Sequence, residues 1–365
     1  MVHISRRTAT FACVALITAV AGQAQAQSAE IQGTGATFPA KVYDQWAQTY
    51  VRDTGKPLVY KPAGSSAGVK GITDRAVDFG ATDVPLPQVE LEKRGLFQFP
   101  TLVGGVVPFV NQPGVARGAL QLDAPTLASV YAGRISRWND AAIRALNPGI
   151  ALPDLPVVRV VRADGSGTTE VFVSYLRLAA AAQAATIEPK GGKANWPGDT
   201  VAVEGSDRLV AAVKATPGAI GYASSDYVLR DGLSGVKLRN RRGEWMDPTT
   251  GAFKAAIVAG GLFKNSLEPA SLLDLDGVGV WPIVTATYVL VPREPASVER
   301  AGRTLNFFYR SFLMGDRAVA GTGFAPLPIA TQARIVTLLS GFRTPKGEQV
   351  PVIGIGEVAT TVAAR

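Results

Sequence analysis

Apolar positions along this chain fall into short extended runs alternating with stretches of helical spacing. Val157, Val158, Val160 and Val161 follow Pro156 and end at the Asp164-Gly165 turn signal, so these β-branched residues predict a strand. From Val171, the residues Val171, Phe172, Tyr175, Leu176 and Ala179 recur at helical spacing. Near the start, Val42, Trp46 and Tyr50 repeat every four residues behind Pro39 and predict a helix beginning near Thr37 and Phe38. Leu58 to Tyr60 and Val77 to Asp83 read as short strands, and between them GSSAGVKGI (64–72) is a small-residue loop suited to opening a helix. Further helices are expected over TLASVYAGRISRW (126–138), Val298 to Met314 and Ile329 to Leu339. Two longer apolar runs, Leu102 to Val110 and Trp281 to Val291, flank a middle block. The alternation predicts an α/β protein with mostly parallel sheets. The flanking runs predict a chain that leaves one lobe, builds another and returns, with lobe I formed by 27–110 plus 287–365 and lobe II by 111–286.

Composition narrows the chemistry. Arg6 and Arg7, a mildly apolar stretch from Thr8 to Gly22 and Ala24-Gln25-Ala26 read as an export signal over 1–26, cleaved before Gln27. Ser5-Arg6-Arg7 also suits twin-arginine export. Either that route or the Sec route predicts a periplasmic mature chain. Outside the leader no segment reaches the roughly 18 uninterrupted apolar residues that a membrane span needs. The leader carries away His3 and Cys13, the only histidine and cysteine in the sequence. That excludes a Ser-His-Asp triad, a thiol nucleophile, a zinc site of the usual ligands and disulfides. What remains is carboxylates, hydroxyls, backbone amides and arginine, an inventory for binding, with no enzyme activity, no cofactor and no metal expected. The formal charge of +8 falls by two with Arg6 and Arg7. The basic residues are scattered, the densest group being Arg239 to Arg242 in an expected surface turn before Gly243. A nucleic-acid partner would require a basic stripe interleaved with aromatics, which is absent.

Three small-residue loops, at Thr37-Phe38, Ser65-Ser66 and Ser166-Gly167-Thr168, each precede a predicted helix. Singly, each reads as ordinary helix capping, the usual job of Ser and Thr there. As a set with Arg162 they can converge on one tetrahedral anion, because helix starts offer unpaired N–H donors and a positive dipole end. Asp83 alone reads as a turn or cap residue in ATDVP. Beside an anion its carboxylate repels unless the ligand brings a proton to share, which phosphate does at neutral pH and sulfate does not. Asp164 either orients the Arg162 guanidinium or serves the Asp-Gly turn. GTGATF lacks the last small residue of a dinucleotide fingerprint, and no Walker A lysine pattern occurs.

The segments GATFPAKVYDQWAQTY, GSSAGVKGI, VDFGATDVPL, GLFQFPTLVGGVVPFVN, YAGRISRWND, RADGSGT and PGAIGYA follow one another as in periplasmic phosphate-binding proteins of ABC-type phosphate importers. The chain resembles that family over about residues 31–340. The resemblance implies a type II, Venus-flytrap fold of two α/β lobes joined by two crossing strands. It implies a monomeric receptor that captures inorganic phosphate and hands it to an inner-membrane ABC permease. By motif, Thr37, Phe38, Ser65, Asp83, Arg162, Ser166, Gly167 and Thr168 would bind the anion, with Asp83 accepting the phosphate proton and Asp164 supporting Arg162. A secreted phosphate-ester hydrolase or a receptor for another tetrahedral oxyanion is the alternative. The stretch after Leu339 runs past the usual family end, and is expected as a strand-like extension on the first lobe or a disordered end.

Overall fold

The computed structural model describes residues 30–261 and 269–352. Residues 1–26, read above as an export signal, lie outside that range. Strand β1 (Ile31–Gly35) leads through Thr37 and Phe38 into helix α1 (Ala40–Thr54), then come β2 (Leu58–Pro62), α2 (Ser65–Thr73), β3 (Phe79–Thr82) and the long β4 (Leu96–Val110). The chain continues to β5 (Val158–Arg162), α3 (Gly167–Ala179), β6 (Val201–Val203), α4 (Ser206–Ala215), β7 (Ala219–Ser224) and α5 (Ser225–Arg230). It then returns along β8 (Ile283–Pro292) to α6 (Val298–Leu313) and α7 (Ile329–Ser340).

These strands form one path, β2-β1-β3-β8-β4-β7-β5-β6. Within each half the pairing is parallel, β1 with β2 and β3, and β5 with β6 and β7. The middle departs from the mostly parallel expectation: β8 runs antiparallel to both β3 and β4, and β7 antiparallel to β4. The reason is topological. The chain crosses outward along β4 and back along β8, so the two crossing strands run in opposite directions. Leu96 to Gly105 of β4 pair with β8, and Val106 to Val110 pair with β7, so one strand belongs to both halves of the sheet.

Aromatic packing anchors each half. Phe79, Phe99, Phe307 and Phe308 are fully buried in the first, with Tyr43 and Trp46 of α1 against α6. In the second, the Phe172 and Tyr222 rings stack with centroids 4.4 Å apart. Helix α2 has few large apolar residues, and it stays on the sheet through close backbone approach. A Cβ on Gly68 would stand 2.4 Å from the Ala81 carbonyl oxygen, so only glycine lets the helix lie this near β3. That approach carries Ser65 to Asp83.

The helix expected through Trp138 instead ends at Tyr131. Gly133 turns with φ +73°, and Trp138 is buried with its indole N–H donating to the Gly218 carbonyl at 2.8 Å. After α7, Phe342 to Val350 fold back on themselves, Val350 N–H donating to Phe342 O at 2.9 Å. Pro351 packs against Gly302 of α6, in the first half. Residues from 353 onward lie outside the described range.

Candidate functional site

The two halves meet where three first-half segments face three second-half ones. Thr37 and Phe38 sit in the turn before α1, whose N-cap is Pro39, so they precede the helix where a start at Thr37 and Phe38 was expected. Phe38 sends its ring into the core, edge-to-face with Phe324 at 5.2 Å, which leaves only its backbone for a ligand. Ser65, Gly167 and Thr168 open α2 and α3, so their N–H groups have no partner within the helix.

Asp83 follows β3 and is buried. Its Oδ1 accepts from the Thr287 hydroxyl at 2.8 Å and its Oδ2 from the Thr168 hydroxyl at 3.5 Å. Its N–H donates to Ser65 Oγ at 3.2 Å, and its C=O accepts from the Thr285 hydroxyl at 2.8 Å. Thr285 and Thr287 lie two residues apart on β8, so both face the same side of the strand. Burial pushes the Asp83 carboxyl up to about 7, against the opposing pull of Thr287, Arg162 and Thr168. A carboxyl poised there exchanges a proton near neutrality.

Arg162 ends β5, also buried. Its Nε donates to Asp164 Oδ1 at 2.6 Å and its Nη2 to Asp164 Oδ2, a bidentate pair. Its Nη1 donates at 3.0 Å to both Thr37 Oγ1 and Ser206 Oγ. Of the five N–H groups a guanidinium carries, the protein therefore holds all but one. Burial alone would raise the Asp164 carboxyl; the Arg162 guanidinium and the Gly205 N–H, at 3.0 Å, outweigh it and hold that group below its ordinary range. Asp164 thus supports Arg162 and ties it to the start of α4 through Gly205.

Contact across the cleft is tight. A Cβ on Gly167 would stand 2.3 Å from Ser65 Oγ and 2.9 Å from Asp83 Cβ. Ser66 N–H donates to the Gly165 carbonyl at 3.1 Å. The turn at Gly191 and Gly192 folds over the same place: Ser66 Oγ donates to Gly191 O at 3.4 Å, and Ser166 N–H to Gly192 O at 2.7 Å. Ser166 also caps α3, its Oγ accepting from Thr169 N–H at 3.2 Å. Capping uses a lone pair of Ser166 and leaves its hydroxyl proton available. Cavities of about 470 Å³, lined by Thr37, Lys61, Asp164 and Ser206, and about 250 Å³, lined by Asp83, Glu170 and Thr285, flank the cleft.

All of Thr37, Phe38, Ser65, Asp83, Arg162, Ser166, Gly167 and Thr168 therefore come to one cleft, with Asp164 behind Arg162. Sequence reasoning missed Ser206, Thr285 and Thr287. Glu204-Gly205-Ser206-Asp207 before an amphipathic helix is a fourth small-residue start of the kind already read three times. The two threonines are polar residues at alternate positions in an otherwise apolar run. Among the described residues no group of three or more His, Cys, Asp or Glu side chains is placed to hold a metal ion, and no helix is long and apolar enough to cross a membrane.

Two α/β halves joined by antiparallel crossing strands, with a buried arginine and helix starts facing each other at the join, define a solute-binding protein of type II fold. A sequence profile described as a PBP superfamily domain matches residues 20–310. The phosphate-binding protein PstS of Xylella fastidiosa (strain Temecula1) is 36% identical over 305 residues, 83% of each chain. That of Pasteurella multocida is 33% identical over 303 residues, 83% of this chain and 87% of its own. The chain belongs to this family of phosphate-binding proteins. A solved structure of a high-affinity periplasmic phosphate-binding protein bound with phosphate matches 89% of this chain and 96% of its own with a TM-score of 0.69, at 21% identity, a likeness of fold.

Proposed function

We propose that this protein is an extracytoplasmic receptor that captures inorganic phosphate between its two halves and delivers it to an ABC-type phosphate permease. The observation that carries the reading is the facing of Asp83 and Arg162 across a cleft rimmed by helix starts. Arg162 supplies fixed positive charge, and the N–H groups of Ser65, Gly167 and Thr168, with the hydroxyls of Thr37, Ser65 and Ser166, supply donors to the remaining oxygens. Asp83, when ionised, keeps acceptor capacity beyond what Thr287 and Thr168 fill, and a ligand oxygen meets it only if that oxygen is protonated. Phosphate brings that proton; sulfate presents a lone pair to a carboxylate and is repelled.

On this reading the lobes divide as 27–110 plus 287–365 and 111–286, the crossing strands β4 and β8 acting as the hinge. The protein works as a monomer in the periplasm after loss of residues 1–26, and it binds its ligand without chemical change. Calorimetric titration tests the assignment. Above about pH 7, where Asp83 is ionised, tight phosphate binding with sulfate weaker by orders of magnitude is expected, since a site built around one required hydrogen bond can discriminate by about 10⁴ to 10⁵. Below that pH a protonated Asp83 can donate to sulfate and the preference narrows. Equal affinity for the two anions, or no phosphate binding, overturns it.

A further inference from the structure

Ser206 lies 44 residues from Arg162 in sequence and has its Oγ 3.0 Å from Arg162 Nη1 and 2.8 Å from Thr37 Oγ1. It is buried and opens α4, so the start of a helix fixes its backbone. Gly205, its N-cap, holds Asp164 Oδ1 at 3.0 Å. One helix start thus grips the guanidinium directly through Ser206 and through its carboxylate partner by way of Gly205. The other end of this grip is secured by Asp207, whose Oδ1 accepts from the Tyr227 hydroxyl of α5 at 2.6 Å.

The hydrogen bond between the two hydroxyls can run either way, and the two directions offer the cleft different things. A hydroxyl has one proton and two lone pairs. Thr37 Oγ1 already accepts from Arg162 Nη1 at 3.0 Å. If Ser206 donates to its second lone pair, the Thr37 proton is left for the cleft. If Thr37 donates to Ser206 instead, Thr37 has no proton for an anion. Arg162 also donates to Ser206, which occupies one Ser206 lone pair and leaves its proton free to point at Thr37.

We propose that Ser206 is a positioning residue for anion capture: its hydroxyl bridges Arg162 and Thr37 across the cleft, fixing the guanidinium and turning the Thr37 proton toward the ligand. The inference rests on the phosphate reading of the same site. It places α4 beside α1, α2 and α3 as a fourth helix start serving the anion.

Titration of Ser206→Ala, Ser206→Thr, Thr37→Val and the Ser206→Ala/Thr37→Val pair with inorganic phosphate tests this. Ser206→Ala is expected to weaken binding about 10- to 100-fold, the scale of a lost hydrogen bond to a charged group. Ser206→Thr, which keeps the hydroxyl, should recover most of that loss. The double variant should lose clearly less than the product of the single losses, because both hydroxyls act through one bridge. A merely structural serine would give independent losses and no rescue tied to the hydroxyl. Unchanged affinity in Ser206→Ala, or losses that simply multiply, overturns the Ser206 role while leaving phosphate capture intact. Should Ser206→Ala fail to fold, an undiminished affinity in Thr37→Val overturns the role from the other end of the bridge. Failure of the unmodified protein to bind phosphate overturns both.

Discussion

The two walls of the cleft carry opposite charges and satisfy them in different ways. Arg162 has its counter-ion built in: Asp164 takes two of its N–H groups, and two hydroxyls take two more. Asp83 meets only hydroxyls at its carboxylate oxygens, those of Thr287 and Thr168, and burial raises its pKa to about 7. A charge satisfied by its own protein is fixed in place whatever the ligand, and it attracts any anion. A carboxylate left short of a cation takes a proton from solvent below its raised pKa and calls for one from the ligand above it, so it favours a protonated anion once it is ionised. On the proposed reading, attraction and selection are separate tasks carried by separate walls.

The comparison breaks most severely at the attracting wall. Arg162→Ala removes the cation and leaves Asp164 as an unpaired negative charge beside the anion. A loss of about 2–5 kcal/mol in phosphate binding is expected, the cost of truncating one partner of a buried charge pair; calorimetry that found the affinity retained would remove Arg162 from the site. Gly167→Ala tests the fit between the walls. The added methyl would have to displace Ser65 Oγ and Asp83, so closure should cost about 1–3 kcal/mol, the range for overpacking. Small-angle scattering with saturating phosphate would then show a more open molecule than the unmodified protein, and an unaltered profile would contradict the tight contact.

The smallest effect sharpens the selecting wall. Asp83, with its pKa moved from 3.8 to about 7, makes the folded chain hold more protons than the unfolded one between those values. Asp226, buried at the start of α5 beside Ser224 and Arg230, is moved by burial in the same way. The stability of the phosphate-free protein from these groups is therefore full below about pH 3.8 and is lost as pH rises through 7. Melting curves in phosphate-free buffer should show Tm falling from pH 5 to pH 8. Asp83→Asn should flatten that fall by at least about 1 °C, the shift expected for roughly 1 kcal/mol in a chain this long, and should narrow the preference for phosphate over sulfate. A pH dependence identical to that of the unmodified protein would show that Asp83 is not the titrating group.

Much of the fold was legible in the chain because its elements are short and strongly patterned. The valines before Arg162, the four-residue repeat of Val42, Trp46 and Tyr50, and the two long apolar runs all became the expected elements, within one to six residues at their ends. Local signals failed where a distant partner decided the outcome. Trp138 is buried against Gly218, eighty residues on, and the helix expected to include it stops at Tyr131. The antiparallel centre of the sheet likewise depends on which way two far-apart runs cross, a property of topology to which hydrophobic period is blind.

The candidate site divides along the same line. The sequence by itself determined the residue types: small residues at helix starts, an arginine at a strand end, and a carboxylate after Ala81-Thr82, with histidine and cysteine occurring only at positions 3 and 13. Only the tertiary structure decided that Asp83 is buried among threonines rather than solvated in a turn, that Arg162 spends four N–H groups on the protein, and that Ser206 stands between Arg162 and Thr37. The physical reason is that donor satisfaction and desolvation are properties of three-dimensional neighbours. A hydroxyl or carboxylate has the same local signature whether it caps a helix or faces a ligand, and the groups packed around it set which of these it does.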